Sequence, residues 1–234
     1  MRDSQKRRSR MAGAFYLAML PWAIFALFTR FSAFIPADMG ATLSNTQARA
    51  QWVTLGCLSW WAAQLLQIGL ALTLFGLFKS YGNSAARLML ALIGMAVPIS
   101  MVCELLPLAA VWVATHYAGV MEASSVAGPA AAVFLLWQLH EYGSILCHIF
   151  WGLWLLPLAR LAWLSRAFPS WVTYLLGVAG LGYLVDFASY WLLPGTRFTV
   201  TQVTFIGEII FAAWLLLAKF NGRTEVSAKT AVLV

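Results

Sequence analysis

The sequence predicts an all-α membrane protein, a bundle of six transmembrane helices with both termini cytoplasmic. Three observations carry that expectation. Of the 234 residues, 62% are hydrophobic and 10% charged, with a mean hydropathy of +0.80. A soluble domain of this length could not hide that much apolar surface, so lipid must be its solvent. Six apolar runs long enough to span a bilayer alternate with short polar stretches. Their flanking basic residues split unevenly: Arg2, Lys6, Arg7, Arg8, Arg10, Lys79, Arg87, Arg160, Arg166, Lys219, Arg223 and Lys229 fall on one side, and only Arg30, Arg49 and Arg197 on the other. Twelve against three orients the chain by the positive-inside rule, in a plasma (inner) membrane, as a multi-pass protein.

Taken in order, residues 1–10 form a basic cytoplasmic segment and residues 11–220 a single membrane domain. The first span, Met11–Thr29, is long for the apolar core of a signal peptide, and no small-x-small cleavage site follows it. It bends at Pro21 and holds no ionisable group, which predicts a peripheral helix. Arg30–Gln51 is polar enough for a loop with a short surface helix. Trp52–Phe78 is the second span, with Gln64 and Gln67 on one face. After the turn Lys79–Arg87 comes Leu88–Trp112, which includes Pro98, Glu104 and Pro107. Pro107 lacks an N–H and so frees the Cys103 carbonyl, directly beside Glu104. His116–Pro129 is an outer loop. Ala130–Leu158 is the fourth span and Trp171–Leu193 the fifth. On the fifth, Ala179, Gly182, Asp186 and Ser189 share a face, and small residues there let a neighbouring backbone approach. Pro194–Arg197 turns into the sixth span, Val200–Phe220, and residues 221–234 form a polar cytoplasmic tail. Trp52, Trp112, Trp163, Trp171 and Trp191 lie near span ends, where interfacial belts form.

Composition also excludes partners. A net charge of +7 invites a nucleic-acid reading, but the basic residues sit in short clusters between apolar runs, so no nucleic acid is expected. Cys57, Cys103 and Cys147 lie inside apolar segments without a CxxC spacing, which argues for buried thiols rather than disulfides.

The fourth span holds a polar stripe. Seven residues return a helix to nearly the same face, so His140 lines up with Cys147 and Glu141 with His148, and Ser144 lies between the two lines. Taking span midpoints and about 1.5 Å per residue, Glu104, His140, Glu141, Asp186 and Glu208 fall within about 3–8 Å of the midplane, all outward of it. A single buried Glu bonded to a carbonyl serves packing alone. Agreement in depth across four helices is harder to assign to packing, because ionisable groups in a membrane are costly and mark function by default.

Three stretches resemble a known family: LHEYGSILCHIFWGLWLLPLARL (Leu139–Leu161), FPSWVTYLLGVAGLGYLVD (Phe168–Asp186) and IGEIIFAAWLL (Ile206–Leu216). They are similar to the bacterial and archaeal membrane proteins catalogued as domain of unknown function 4386, and the likeness runs from about Met11 to Phe220. His140, Asp186 and Glu208 match positions that the family pattern carries. So do Gly143, Gly152, Gly182 and Trp171, which suit packing. Glu104, Glu141 and His148 are singled out by the residues alone. The resemblance implies the fold and the site positions, and no activity.

Several functions fit such a pocket. An intramembrane metal-dependent hydrolase would use His140, Asp186 and Glu208 as ligands to a divalent ion such as zinc, supported by His148. Glu104 or Glu141 would then be the general base. No HExxH and no paired ExxH occurs, so neither the zincin nor the usual di-iron pattern is present. A proton-coupled transporter or carrier would use the same layer to bind protons and a small lipophilic or cationic ligand. Haem is disfavoured, since His140 and His148 stand about 12 Å apart on one helix. A non-catalytic membrane partner would need the layer only for helix register. Nothing in the sequence sets an oligomeric state.

Overall fold

Lipid offers no hydrogen bonds, so a chain this apolar must satisfy its backbone within each segment. The computed structural model describes residues 2–117, 128–193 and 199–217, and among these every regular element is helical. The helices are α1 (Arg2–Ala33), α2 (Met39–Ala48), α3 (Ala50–Phe78), α4 (Asn83–Cys103), α5 (Leu105–His116), α6 (Pro129–Ser165), α7 (Ser170–Leu192), α8 (Thr201–Thr204) and α9 (Ile206–Leu217). Only one residue separates α2 from α3, α4 from α5 and α8 from α9. Five segments are long and apolar enough to cross a membrane: Ser4–Ala33, Ala50–Phe78, Asn83–His116, Pro129–Ser165 and Ser170–Leu192. The expected sixth span is described as the shorter apolar helix Thr201–Leu217. Residues 218–220, the 221–234 tail, the Pro194–Arg197 turn and most of the outer loop after His116 lie outside the described residues.

Two sequence expectations change in detail. The first helix does not stop at Thr29 but runs through Arg30 to Ala33, because no Gly, Pro or Asn intervenes before Pro36. The third span does break, at Glu104 (φ −70°, ψ −13°), whereas Pro98 is absorbed inside α4. Pro107 then falls in the first turn of α5, where its missing N–H costs no helical bond. The short surface helix appears as α2, capped by Asp38, whose carboxylate accepts from the Ala41 N–H at 2.8 Å.

By their internal contacts the residues form two compact units. One takes in Met1–Leu17, Leu66–Ala96 and His148–Val234, the other Ala18–Leu65 and Val97–Cys147. In the first unit, α7 packs on α8 and α9. Its buried face carries Leu176, Ala179, Gly180, Gly182 and Asp186, while Tyr174, Val178, Leu181, Val185 and Leu192 are exposed. That outward stripe is apolar, the reverse of a water-facing helix and the pattern that lipid requires. The α6 and α7 backbones nearly touch. A Cβ on Gly152 would lie 2.6 Å from the Gly180 carbonyl oxygen, and one on Gly180 would lie 2.9 Å from that of Gly152. The start of α1 is also pinned, by Ser9 donating to the Leu215 carbonyl at 2.8 Å and Arg8 donating to that of Gly76 at 2.7 Å.

In the second unit, α2 packs on α5 over a core of Ala33, Val53, Cys57, Ala110, Ala114, Val133 and Trp137. The Trp137 indole donates to Thr46 Oγ1 at 3.0 Å. Cys57, Cys103 and Cys147 are free thiols, as the spacing implies. All five tryptophans expected at span ends are 41–58% exposed, whereas Trp137 and Trp154 are buried.

The Gly152–Gly180 approach yields a prediction. Gly152→Ala should cost about 1–3 kcal/mol through forced helix separation. Gly94→Ala, where nothing lies within 4 Å, should be neutral or stabilising by up to about 1 kcal/mol. Unfolding midpoints of the detergent-purified variants check both; equal midpoints would contradict the close contact.

Candidate functional site

Glu104 sits at the one-residue break between α4 and α5, where a side chain can leave the regular helical surface. It is 1% exposed. Its Oε1 accepts two donors from other helices: the Arg30 guanidinium of α1, and His140 Nε2 of α6 at 3.1 Å. Its Oε2 is buried without a hydrogen-bond partner. Arg30 also stacks over the Trp60 ring, 4.4 Å from its centroid, and the Trp60 indole donates to Ser100 at 2.7 Å. Trp61 donates to the Met101 carbonyl at 3.0 Å, in the last turn of α4 where helix carbonyls lose partners. The edge of Trp137 closes on the His140 ring at 5.9 Å. A planar, always-charged guanidinium between an aromatic face and a carboxylate is the usual means of keeping such a pair in low dielectric. Cys103 lies against Gly143, four residues before Cys147 on α6, so α4 and α6 meet closely next to this cluster.

The other sequence candidates have different neighbours. In the first unit, Asp186 acts as a cap: Oδ1 accepts the Val200 N–H at 2.6 Å, and Oδ2 accepts the Thr201 N–H at 2.9 Å and the Thr201 hydroxyl. Both carboxylate oxygens are therefore used to start α8. Glu208 is 5% exposed and receives the Tyr16 hydroxyl of α1 at 2.5 Å, with its Oε1 buried and unbonded. His148 packs its ring on Trp151 and Tyr183 at 5.5 and 5.4 Å. Glu141 is half-buried on α6. Of the two lines on that helix, His140 and Cys147 are buried, while Glu141 and His148 are half-buried.

Of the expected set, the structure brings Glu104 to His140, and gives Asp186 and Glu208 each its own partners. Among the described residues no group of three or more His, Cys, Asp or Glu side chains is arranged to hold a metal ion. Arg30 and Tyr16 were absent from the expected site. A first span ending at Thr29 leaves Arg30 in a loop, and a span holding no ionisable group is expected to be peripheral. By exposure α1 is indeed the least buried of the five spans, at 22% of its apolar window. It nevertheless supplies a donor to both buried glutamates.

Residues 11–218 match the family model described as "Domain of unknown function (DUF4386)". The chain belongs to this family. A protein of Archaeoglobus fulgidus described as "Uncharacterized protein" is 31% identical over 99 residues, which cover 37% of this chain and 57% of that protein. No solved structure matches. For this DUF4386 chain the match covers both Glu104 and His140 as well as Asp186 and Glu208.

Two outcomes follow for stability. Arg30→Gln leaves a buried carboxylate without its counter-charge and should cost about 3–5 kcal/mol, while Arg30→Gln combined with Glu104→Gln should recover most of that loss. Denaturant titration in detergent reads the difference; a double variant no better than the single would contradict the pairing. Asp186→Asn should cost about 1–2 kcal/mol through lost capping. That loss should be the same with zinc or with a chelator present, and a zinc-dependent midpoint would show that capping is not the role of Asp186.

Proposed function

We propose that the protein is a proton-linked membrane carrier for a small cationic solute, with Arg30, Glu104 and His140 as its coupling element. The observation that carries this reading is Glu104 Oε2, an acceptor kept from solvent and outside hydrogen-bond geometry with any described group, while the other oxygen of the same carboxylate holds two donors. Buried polar atoms are bonded as a rule, and an exception points to a group not yet in place. Charge then sets the chemistry. With His140 neutral, Arg30 and Glu104 cancel. A proton on His140 or a cation at Oε2 each adds one positive charge, and both together would add two in a low-dielectric site. Proton and solute are therefore alternatives, which is the condition for exchange. The break at Glu104 supports the same reading, because interrupted helices line solute paths in membranes. With both termini cytoplasmic, as the charge split favours, solute would leave the cell as protons enter.

A metal-dependent hydrolase has less behind it. Arg30 occupies the Glu104 oxygen that faces His140, and Asp186 is already committed to backbone N–H groups.

The test uses radiolabelled guanidinium as a small permanent cation, with protein reconstituted in liposomes under an imposed pH gradient. Uptake should follow the gradient, and binding should tighten as pH rises. Glu104→Gln should weaken binding by roughly 2 kcal/mol, about thirtyfold. His140→Gln should remove the pH dependence while leaving binding in place. Uptake no greater than in empty liposomes, or binding indifferent to both pH and Glu104→Gln, would overturn the proposal.

A further inference from the structure

The first turns of α1 carry a feature that the carrier reading does not use. Three contacts fix the rotation of this helix within the first unit: Arg8 on the Gly76 carbonyl, Ser9 on the Leu215 carbonyl, and Gly13 so close to α9 that a Cβ would lie 2.6 Å from Leu216 N. At about 100° per residue these anchors leave a separate sector to Lys6, Arg7, Arg10, Met11 and Ala14. That sector and Leu216 of α9 line a groove of about 520 Å³.

The lining is ordered along the helix. Lys6, Arg7 and Arg10 stand at one end, and Met11, Ala14 and Leu216 continue from them as an apolar floor. Among the described side chains, none of those lining the groove is acidic, and three of them are basic. Lys6 is half-buried, while Arg7, Arg10 and Ala14 are exposed, so the groove opens outward. Orienting a helix in the membrane needs positive charge but no groove beside it. A cationic head joined to an apolar channel is complementary to one chemistry, a phosphate ester carrying a hydrocarbon chain.

We infer that the groove between α1 and α9 is a binding site for an anionic phospholipid, with the phosphate held by Lys6, Arg7 and Arg10 and an acyl chain lying along Met11, Ala14 and Leu216. Lipid charge alone would attract any basic segment within a Debye length. A seated lipid must also fit the floor, and that requirement is what the test isolates.

The full chain is purified from detergent containing equal phosphatidylglycerol and phosphatidylcholine, and bound lipid is counted by native mass spectrometry. Wild type should retain phosphatidylglycerol in preference. Lys6→Ala/Arg7→Ala/Arg10→Ala should lower that retention roughly tenfold. Ala14→Trp, which keeps every charge and sits at an exposed position, should lower it comparably by filling the floor. Unchanged thermal midpoints would confirm that both variants fold. Retention of phosphatidylglycerol by Ala14→Trp at the wild-type level would reduce the effect to diffuse attraction and overturn the site. So would equal retention of the two lipids by wild type. Displacement by excess sn-glycerol 3-phosphate would overturn the lipid as occupant in favour of a free phosphate.

Discussion

The structure depends on one rule of the medium, that no acid may enter it without a donor. Each of the three buried carboxylates among the described residues meets it by a different means. Glu104 takes a guanidinium and an imidazole, Glu208 a phenol, and Asp186 two backbone amides with a hydroxyl. The donors of Glu104 and Glu208 come from helices distant in sequence and that of Asp186 from the next helix, so each acid ties together segments that apolar contact alone would leave free to slide. In lipid there is little hydrophobic force between helices, and such polar ties carry much of the register. The ties differ in what they leave over. Asp186 is fully engaged, whereas Glu104 keeps one oxygen in reserve beside a group that can change its charge.

Close backbone approach is the second constraint. Gly143 lies against Cys103, Gly182 against Thr204 and Gly207 against the Leu175 carbonyl. In one unit such a contact brings α4 close to α6, and in the other two such contacts bring α8 and α9 close to α7. The α7 face that holds Gly182 also holds Asp186, so the small residues bring in the segment that the carboxylate then caps.

How much of this could be read beforehand differs by residue. The break at Glu104 was legible because Pro107 has a defined cost four residues back, and proline chemistry is local. The inward turn of His140 and Cys147 followed from helical phase, although phase alone could not say which of the two polar lines on α6 would bury. Gly152 and Gly182 were legible as packing positions. Arg30 was not, because a window that rewards apolar residues stops at the first charge, whereas the helix stops at the next breaker. Tyr16 was passed over since a tyrosine in a span reads as an apolar ring until a partner for its hydroxyl is known. The capping role of Asp186 was the hardest to see. Its partners are backbone N–H groups at Val200 and Thr201, and a main-chain amide leaves no residue-type signature in a sequence. Depth along the span carried no information on which of the costly groups would meet.

The reciprocal contact of Gly152 and Gly180 has a bearing on how this interface can vary. Across most helix pairs, a bulkier side chain on one partner can be accommodated by trimming the other. Here each position faces main chain, and both already hold the residue with no side chain, so there is nothing left to trim. Variation at this crossing is blocked from both directions at once, and change must be absorbed elsewhere along α6 and α7.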